Sequence, residues 1–148
     1  MVLISCSKLP DDQLMMKGMD YEDREMFGEA IACYEKIDKM YPNSTYRAQA
    51  LYKAGIAYTY GLTDYDKAID VFKKTVTLYP DSSVGAQSQF MIGFIYANNA
   101  SDSLKARLAY TAFLEKYPDH ELVPSVEWEL EHLGKDINEI FDAKEPEK

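Results

Sequence analysis

A Tyr-Pro pair closes three successive stretches of this chain, at Tyr41–Pro42, Tyr79–Pro80 and Tyr117–Pro118. The period is 38 residues, kept twice without slippage. A strict period of that size marks an array of stacked supersecondary units. Other positions keep the same phase. Ala30, Ala68 and Ala106 align, as do Tyr34, Phe72 and Tyr110, while Gly55 pairs with Gly93, Tyr58 with Tyr96 and Gln49 with Gln87.

Within each period the pattern is helical. Leu51, Tyr52, Ala54, Gly55, Ile56 and Tyr58 form a stripe at helical spacing, repeated as Phe90, Met91, Ile92, Gly93, Phe94 and Tyr96. After a polar break, a second helix is predicted in each unit. Its apolar face is expected to be Ala68, Ile69, Val71, Phe72, Val76 and Leu78, and then Ala106, Leu108, Tyr110, Phe113 and Leu114. Pro42, Pro80 and Pro118 end these second helices, because proline lacks the amide donor and disfavours helical geometry in its predecessor. Ser44 and Ser82 (or Asp81) then offer side-chain oxygens to the next helix start. Gly55 and Gly93 are expected to face Ala68 and Ala106, drawing each helix pair close, with the aromatic four residues on filling the remaining space.

The pattern resembles the tetratricopeptide repeat. Leu51, Gly55, Tyr58, Ala68, Phe72 and Pro80 occupy its signature places, and repeat one matches through Leu14, Gly18, Tyr21, Ala30, Tyr34 and Pro42. Repeats two and three carry one extra residue between Tyr and Ala. The implied fold is all-α: a right-handed superhelix of about three and a half helix–turn–helix repeats with a short C-terminal capping helix. The expected layout is a linker over residues 1–10, one domain over 11–143 and a tail over 144–148. Its repeats cover about 11–43, 44–81 and 82–119, with the cap over 120–143. In the cap, Leu122, Val126, Trp128, Leu130 and Leu133 continue the first-helix stripe, and Gly134 reads as a helix stop. Asp136 to Phe141 then closes the array with Ile137, Ile140 and Phe141 inward.

Composition narrows the function. The 148 residues are 47% hydrophobic, enough for a sizeable core, and 13% aromatic, which argues against intrinsic disorder. A membrane-spanning helix needs about 20 consecutive apolar residues, and the sequence contains no such run. Twenty-five acidic against sixteen basic residues argues against a nucleic-acid partner. Two cysteines cannot form a disulfide framework. No Cys-x-x-Cys, His-x-x-x-His or phosphate-loop motif occurs, so neither an enzyme nor a metal or other cofactor is expected. His120 and His132 read as surface or boundary residues, Cys33 as a small buried hydrophobe, and the acidic knot at Asp20, Glu22, Asp23 and Glu25 as a solvated helix end.

The resemblance implies instead a protein-binding scaffold whose first helices line a concave groove. Carried over position by position, the partner-binding residues are Met15 and Met19, then Gln49, Tyr52, Ile56 and Tyr60, then Gln87, Phe90, Phe94 and Asn98. Aromatic anchors and adaptable methionines suit an apolar, or basic and apolar, protein segment. Charge by segment is −4 for residues 1–43, +1 for 44–81, 0 for 82–119 and −6 for 120–148. The acidic ends disfavour a clamp for an acidic peptide, and Lys53 is the one basic candidate beside the groove, with Arg47 at its entry. Self-assembly end to end is the alternative use of such an array.

Leu3-Ile4-Ser5-Cys6 resembles the lipobox of bacterial lipoproteins, in which the cysteine is acylated. Only five residues precede Cys6, so this reading implies a signal that starts upstream of Met1. Taken together, the chain resembles the tetratricopeptide lipoproteins of bacterial outer-membrane biogenesis, of the assembly-machine and Tol-Pal coordinator types. The implied place is the periplasm, lipid-anchored to the outer membrane through Cys6. A cytoplasmic adaptor without lipid is the alternative.

Overall fold

The computed structural model describes residues 9–135. Cys6 and the closing helix expected over Asp136 to Phe141 lie outside the described residues. Among the described residues every regular element is helical, as the repeat implies. The order is α1 (Asp11–Asp23), α2 (Phe27–Met40), α3 (Arg47–Ile56), α4 (Tyr65–Leu78), α5 (Ser83–Asn98), α6 (Ser103–Lys116) and α7 (Val123–His132). A π-helical turn, Ala57–Gly61, continues α3. The helices pack as two compact units that divide between Ser88 and Gln89.

The Tyr-Pro pairs do what their chemistry requires. Tyr41, Tyr79 and Tyr117 each leave helical geometry at φ near −127°, −131° and −125°. Their amides still close the last helical turn, on Ile37, Thr75 and Phe113 carbonyls at 2.8–2.9 Å. Ser82 caps the following helix, its Oγ accepting from Gly85 N–H at 3.0 Å. Ser44 does not. Its Oγ accepts from Tyr46 N–H at 3.0 Å, one residue before α3 begins, so it stabilises the turn instead.

The turn inside each unit has a fixed backbone plan. Glu25, Thr63 and Ser101, spaced one period apart, all adopt left-handed φ of 50–56°. In repeat one, Met26 N–H donates to Tyr21 O, five residues back; in repeats two and three, Asp64 and Asp102 reach Tyr58 and Tyr96, six back. The extra residue of repeats two and three is therefore absorbed by widening this turn, in repeat two as the π-helical segment. Asp64 and Asp102 also cap the second helices, accepting from Lys67 and Lys105 N–H at 3.2 and 3.0 Å. The same lysines pair with those carboxylates at 2.7 and 2.9 Å and lie over the Tyr58 and Tyr96 rings. Met26 provides no such cap to α2.

The core follows the helical stripe, with one change in how it closes. In the first unit, α1 packs on α2, α2 on α3, and α3 on α4. Tyr34, Ile37 and Phe72 are fully buried, each contributing about 1.5–3 kcal/mol by burial alone. The expected facing of Gly55 and Gly93 onto alanine is replaced by a ring on a glycine. A Cβ on Gly55 would lie 2.6 Å from the Phe72 ring, and one on Gly93 would lie 2.5 Å from the Tyr110 ring. Gly18 seats Tyr34 in the same way, and Gly61 seats Phe27. The missing side chain makes room for an aromatic disc.

Three residues expected inward are exposed. Leu108 on α6 is 63% exposed, because it stands two residues from both Ala106 and Tyr110 and so points away from their face. Trp128 on α7 is 51% exposed for the same reason relative to Val126, and its ring stacks on His132 at 4.3 Å. Leu78, at the end of α4, is also exposed, whereas Thr75 takes a buried place there, bonded to Val71 O at 2.9 Å. Gly134 stands just past α7 at φ +82°, as a helix stop requires.

Candidate functional site

The first unit gathers four of the predicted groove residues around one cleft. Gln49, Tyr52 and Ile56 project from α3 at helical spacing, and Gln87 comes from the start of α5. With Lys53 and Val84 they line a cleft of about 550 Å³. Tyr52 and Ile56 are half-buried and form its apolar wall. The Tyr52 ring rests 5.8 Å from that of Phe72, so the wall is braced by the core behind it. Burial, and Tyr60 nearby, raise the Tyr52 phenol above its ordinary range, so it stays a neutral donor.

Lys53 is the cleft's only cation, and it is already spent. Its Nζ lies 2.7 Å from Glu22 Oε2 on α1, with both side chains mostly buried. The cleft is therefore electrically neutral, two amides against three apolar side chains. Counting charge by segment could not show this, because the partners stand 31 residues apart.

The other predicted positions separate. Met15 is only 4% exposed and belongs to the core cluster that also holds Leu14, Tyr34, Ala50 and Ala54. It is a core residue and not a groove residue. Met19 is exposed on α1, and Tyr60 is 60% exposed in the π-helical turn. In the second unit, Phe90 and Phe94 are half-buried neighbours at 6.3 Å, and Phe90 also meets Tyr110 at 5.9 Å. Asn98 spends one amide donor on its own helix, at Phe94 O. It lines a separate, more polar cavity of about 580 Å³ with Ser103, Trp128, Glu129 and His132. Val84 is the lining residue that sequence reasoning missed, since it precedes the stripe that marks α5.

Two ionic features support the scaffold. Asp38 on α2 accepts from Arg47 Nε at 3.0 Å and from Lys74 Nζ on α4, so one carboxylate holds three helices. Burial alone would raise this carboxyl, but the bonds from Lys74 and Arg47 outweigh it and hold it below the usual range. Tyr58 Oη donates to Glu35 Oε1 at 2.9 Å, and burial with that carboxylate pushes its phenol up to about 12. Tyr34 Oη and Tyr110 Oη are buried without a hydrogen-bond partner. Burial, then the charges of Glu22 and Glu129 respectively, keep both phenols protonated. Among the described residues no cluster of three His, Cys, Asp or Glu has metal-binding geometry, and no helix is long and apolar enough to cross a membrane.

Residues 49–82 and 87–120 each match the family model of the tetratricopeptide repeat. A search of curated proteins gave no match.

Proposed function

We propose that this chain, whose residues 49–82 and 87–120 match the tetratricopeptide-repeat model, is a protein-binding scaffold that holds an uncharged, apolar-anchored partner segment in the cleft between Tyr52, Ile56 and Val84. The observation that carries this reading is the neutral cleft itself. Its one lysine is paired to Glu22, so a carboxylate ligand gains no cation there, while a desolvated apolar side chain meets a braced aromatic wall. The Gln49 and Gln87 amides each present a donor and an acceptor, suited to the main chain of a bound segment.

Peptides selected from a random phage-displayed library on the wild-type protein supply the assay. Tyr52→Ala with Ile56→Ala is expected to weaken the selected peptides at least tenfold while circular dichroism stays helical. Unchanged affinity in that folded variant refutes the cleft as the site. The envelope role rests separately on Leu3-Ile4-Ser5-Cys6: we place the array in the periplasm, on a lipid anchor at Cys6, scaffolding an outer-membrane complex.

A further inference from the structure

The outer face of α6 is apolar where the same face of α4 is charged. Positions 28, 32 and 36 of repeat one are Gly28, Ala32 and Lys36, and the same register of repeat two is Asp66, Asp70 and Lys74. The three repeat-two residues are exposed, as charged residues on a solvated helix face should be. One period later the register reads Leu104, Leu108 and Ala112. Leu104 is 70% exposed and Leu108 63%, and Ala112 is exposed beside them. At spacing i, i+4, i+8 they form a single apolar ridge along α6. Isolated exposed leucines need no explanation, but a ridge of them where the sister repeat has two aspartates does.

We propose that this ridge pairs with itself, joining two copies of the chain through antiparallel α6 helices about a two-fold axis beside Leu108. Two features of the ridge favour a second copy. The first is shape. A two-fold axis at Leu108 sets that side chain against its equivalent and lays each Leu104 over the other copy's Ala112, a large residue into a small one. The second is charge. Two chains of net charge −9 repel, with the excess on residues 1–43 and 120–148; residues 82–119 carry three acidic and three basic residues and are neutral. The ridge's own segment therefore adds no net charge to that repulsion. Two leucines and an alanine per copy fall well short of the roughly 800 Å² per partner of a standard interface. The dimer is weak, forming between high micromolar and millimolar protein.

Sedimentation velocity from low micromolar to near-millimolar protein tests this. The wild type is expected to shift from monomer to dimer across that range. Leu104→Asp with Leu108→Asp, which copies the Asp66 and Asp70 of the sister repeat, should remain monomeric with unchanged helicity and melting temperature. A second variant fixes the register. In a Cys6→Ser background, Leu108→Cys should form an oxidised covalent dimer at least tenfold faster than Asp70→Cys. A wild type that stays monomeric throughout overturns the proposal, and so does a dimer that survives the double aspartate variant, which would place the contact at the ends of the array. Equal cross-linking by the two cysteine variants overturns the two-fold axis at Leu108.

Discussion

Gly55→Ala tests the ring-on-glycine contact directly, because helix propensity and packing push it in opposite directions. In an exposed helix interior the change stabilises by about 1 kcal/mol. At Gly55 the new methyl carbon would lie 2.6 Å from both Cε1 and Cζ of Phe72 and 2.9 Å from Cδ1. Carbon atoms in contact prefer about 3.5–4.0 Å, so the ring must retreat by about 1 Å. Phe72 is fully buried and has Tyr52 on one side, so it has nowhere to go. Overpacking of this kind costs about 1–3 kcal/mol, and three ring atoms under 3 Å place it at the upper end. Subtracting the propensity gain leaves a net loss of about 2 kcal/mol. Gly28→Ala is the matched control, since a methyl there meets nothing within 4 Å and should stabilise by up to about 1 kcal/mol. Urea unfolding of both variants, followed by circular dichroism, reads the difference as shifts of opposite sign in the midpoint. Phe72→Leu should cost less in the Gly55→Ala background than in the wild type, because the smaller side chain relieves the clash. A Gly55→Ala protein as stable as wild type, or one whose Phe72→Leu cost is unchanged, would refute the reasoning.

Three further outcomes follow from the geometry. Thr63 is a β-branched residue at φ +52°, so Thr63→Gly should raise stability by about 0.5–1 kcal/mol in thermal or urea unfolding, the relieved strain exceeding the extra unfolded-state entropy. Asp38→Asn should lower stability by about 2 kcal/mol, below the full cost of breaking a buried pair because Lys74 remains about half exposed. The Asp38 carboxyl is held below its ordinary value, so its contribution is present above about pH 4 and lost as pH falls through the lowered folded value; a wild-type-minus-Asp38→Asn stability profile that is flat from pH 6 to about pH 2 contradicts this. For the anchor, a clickable palmitate analogue fed to a bacterial host with lipoprotein maturation should label the chain, expressed behind a lipoprotein signal, and not its Cys6→Ser variant; equal labelling removes Cys6 from the proposal.

The helices and their ends were legible because a 38-residue period and three prolines fix them by spacing alone. Azimuth was harder to read. Leu108 and Trp128 were placed inward for belonging to apolar stretches, although two residues along a helix is a turn of about 200°, to the opposite side. Met15 occupied a groove position by register, yet it is buried in a core cluster with residues of α2 and α3, which only tertiary packing reveals. Four cleft residues, Gln49, Tyr52, Ile56 and Gln87, were found because repetition carries face as well as spacing. The neutrality of the cleft was not, since it depends on where the flexible Lys53 side chain finds Glu22. The left-handed residue at Thr63 left no mark in sequence either, because nothing but the turn geometry asks for it.

The Asp38 cluster has no copy further along the chain. One period on, its position is Val76 and then Leu114, while Arg47 becomes Gly85 and Lys74 becomes Ala112. All three repeats keep the aromatic-on-glycine contact, while the ion cluster stands at a single junction. Added salt therefore acts unevenly on the molecule, loosening the α2–α3–α4 junction while the glycine-seated rings are indifferent to it. Amide exchange in α2 and at the start of α3 should quicken with ionic strength, and exchange around Tyr110 should not. The repeats look alike in sequence, but the Asp38 junction answers to ionic strength in a way its later counterparts do not.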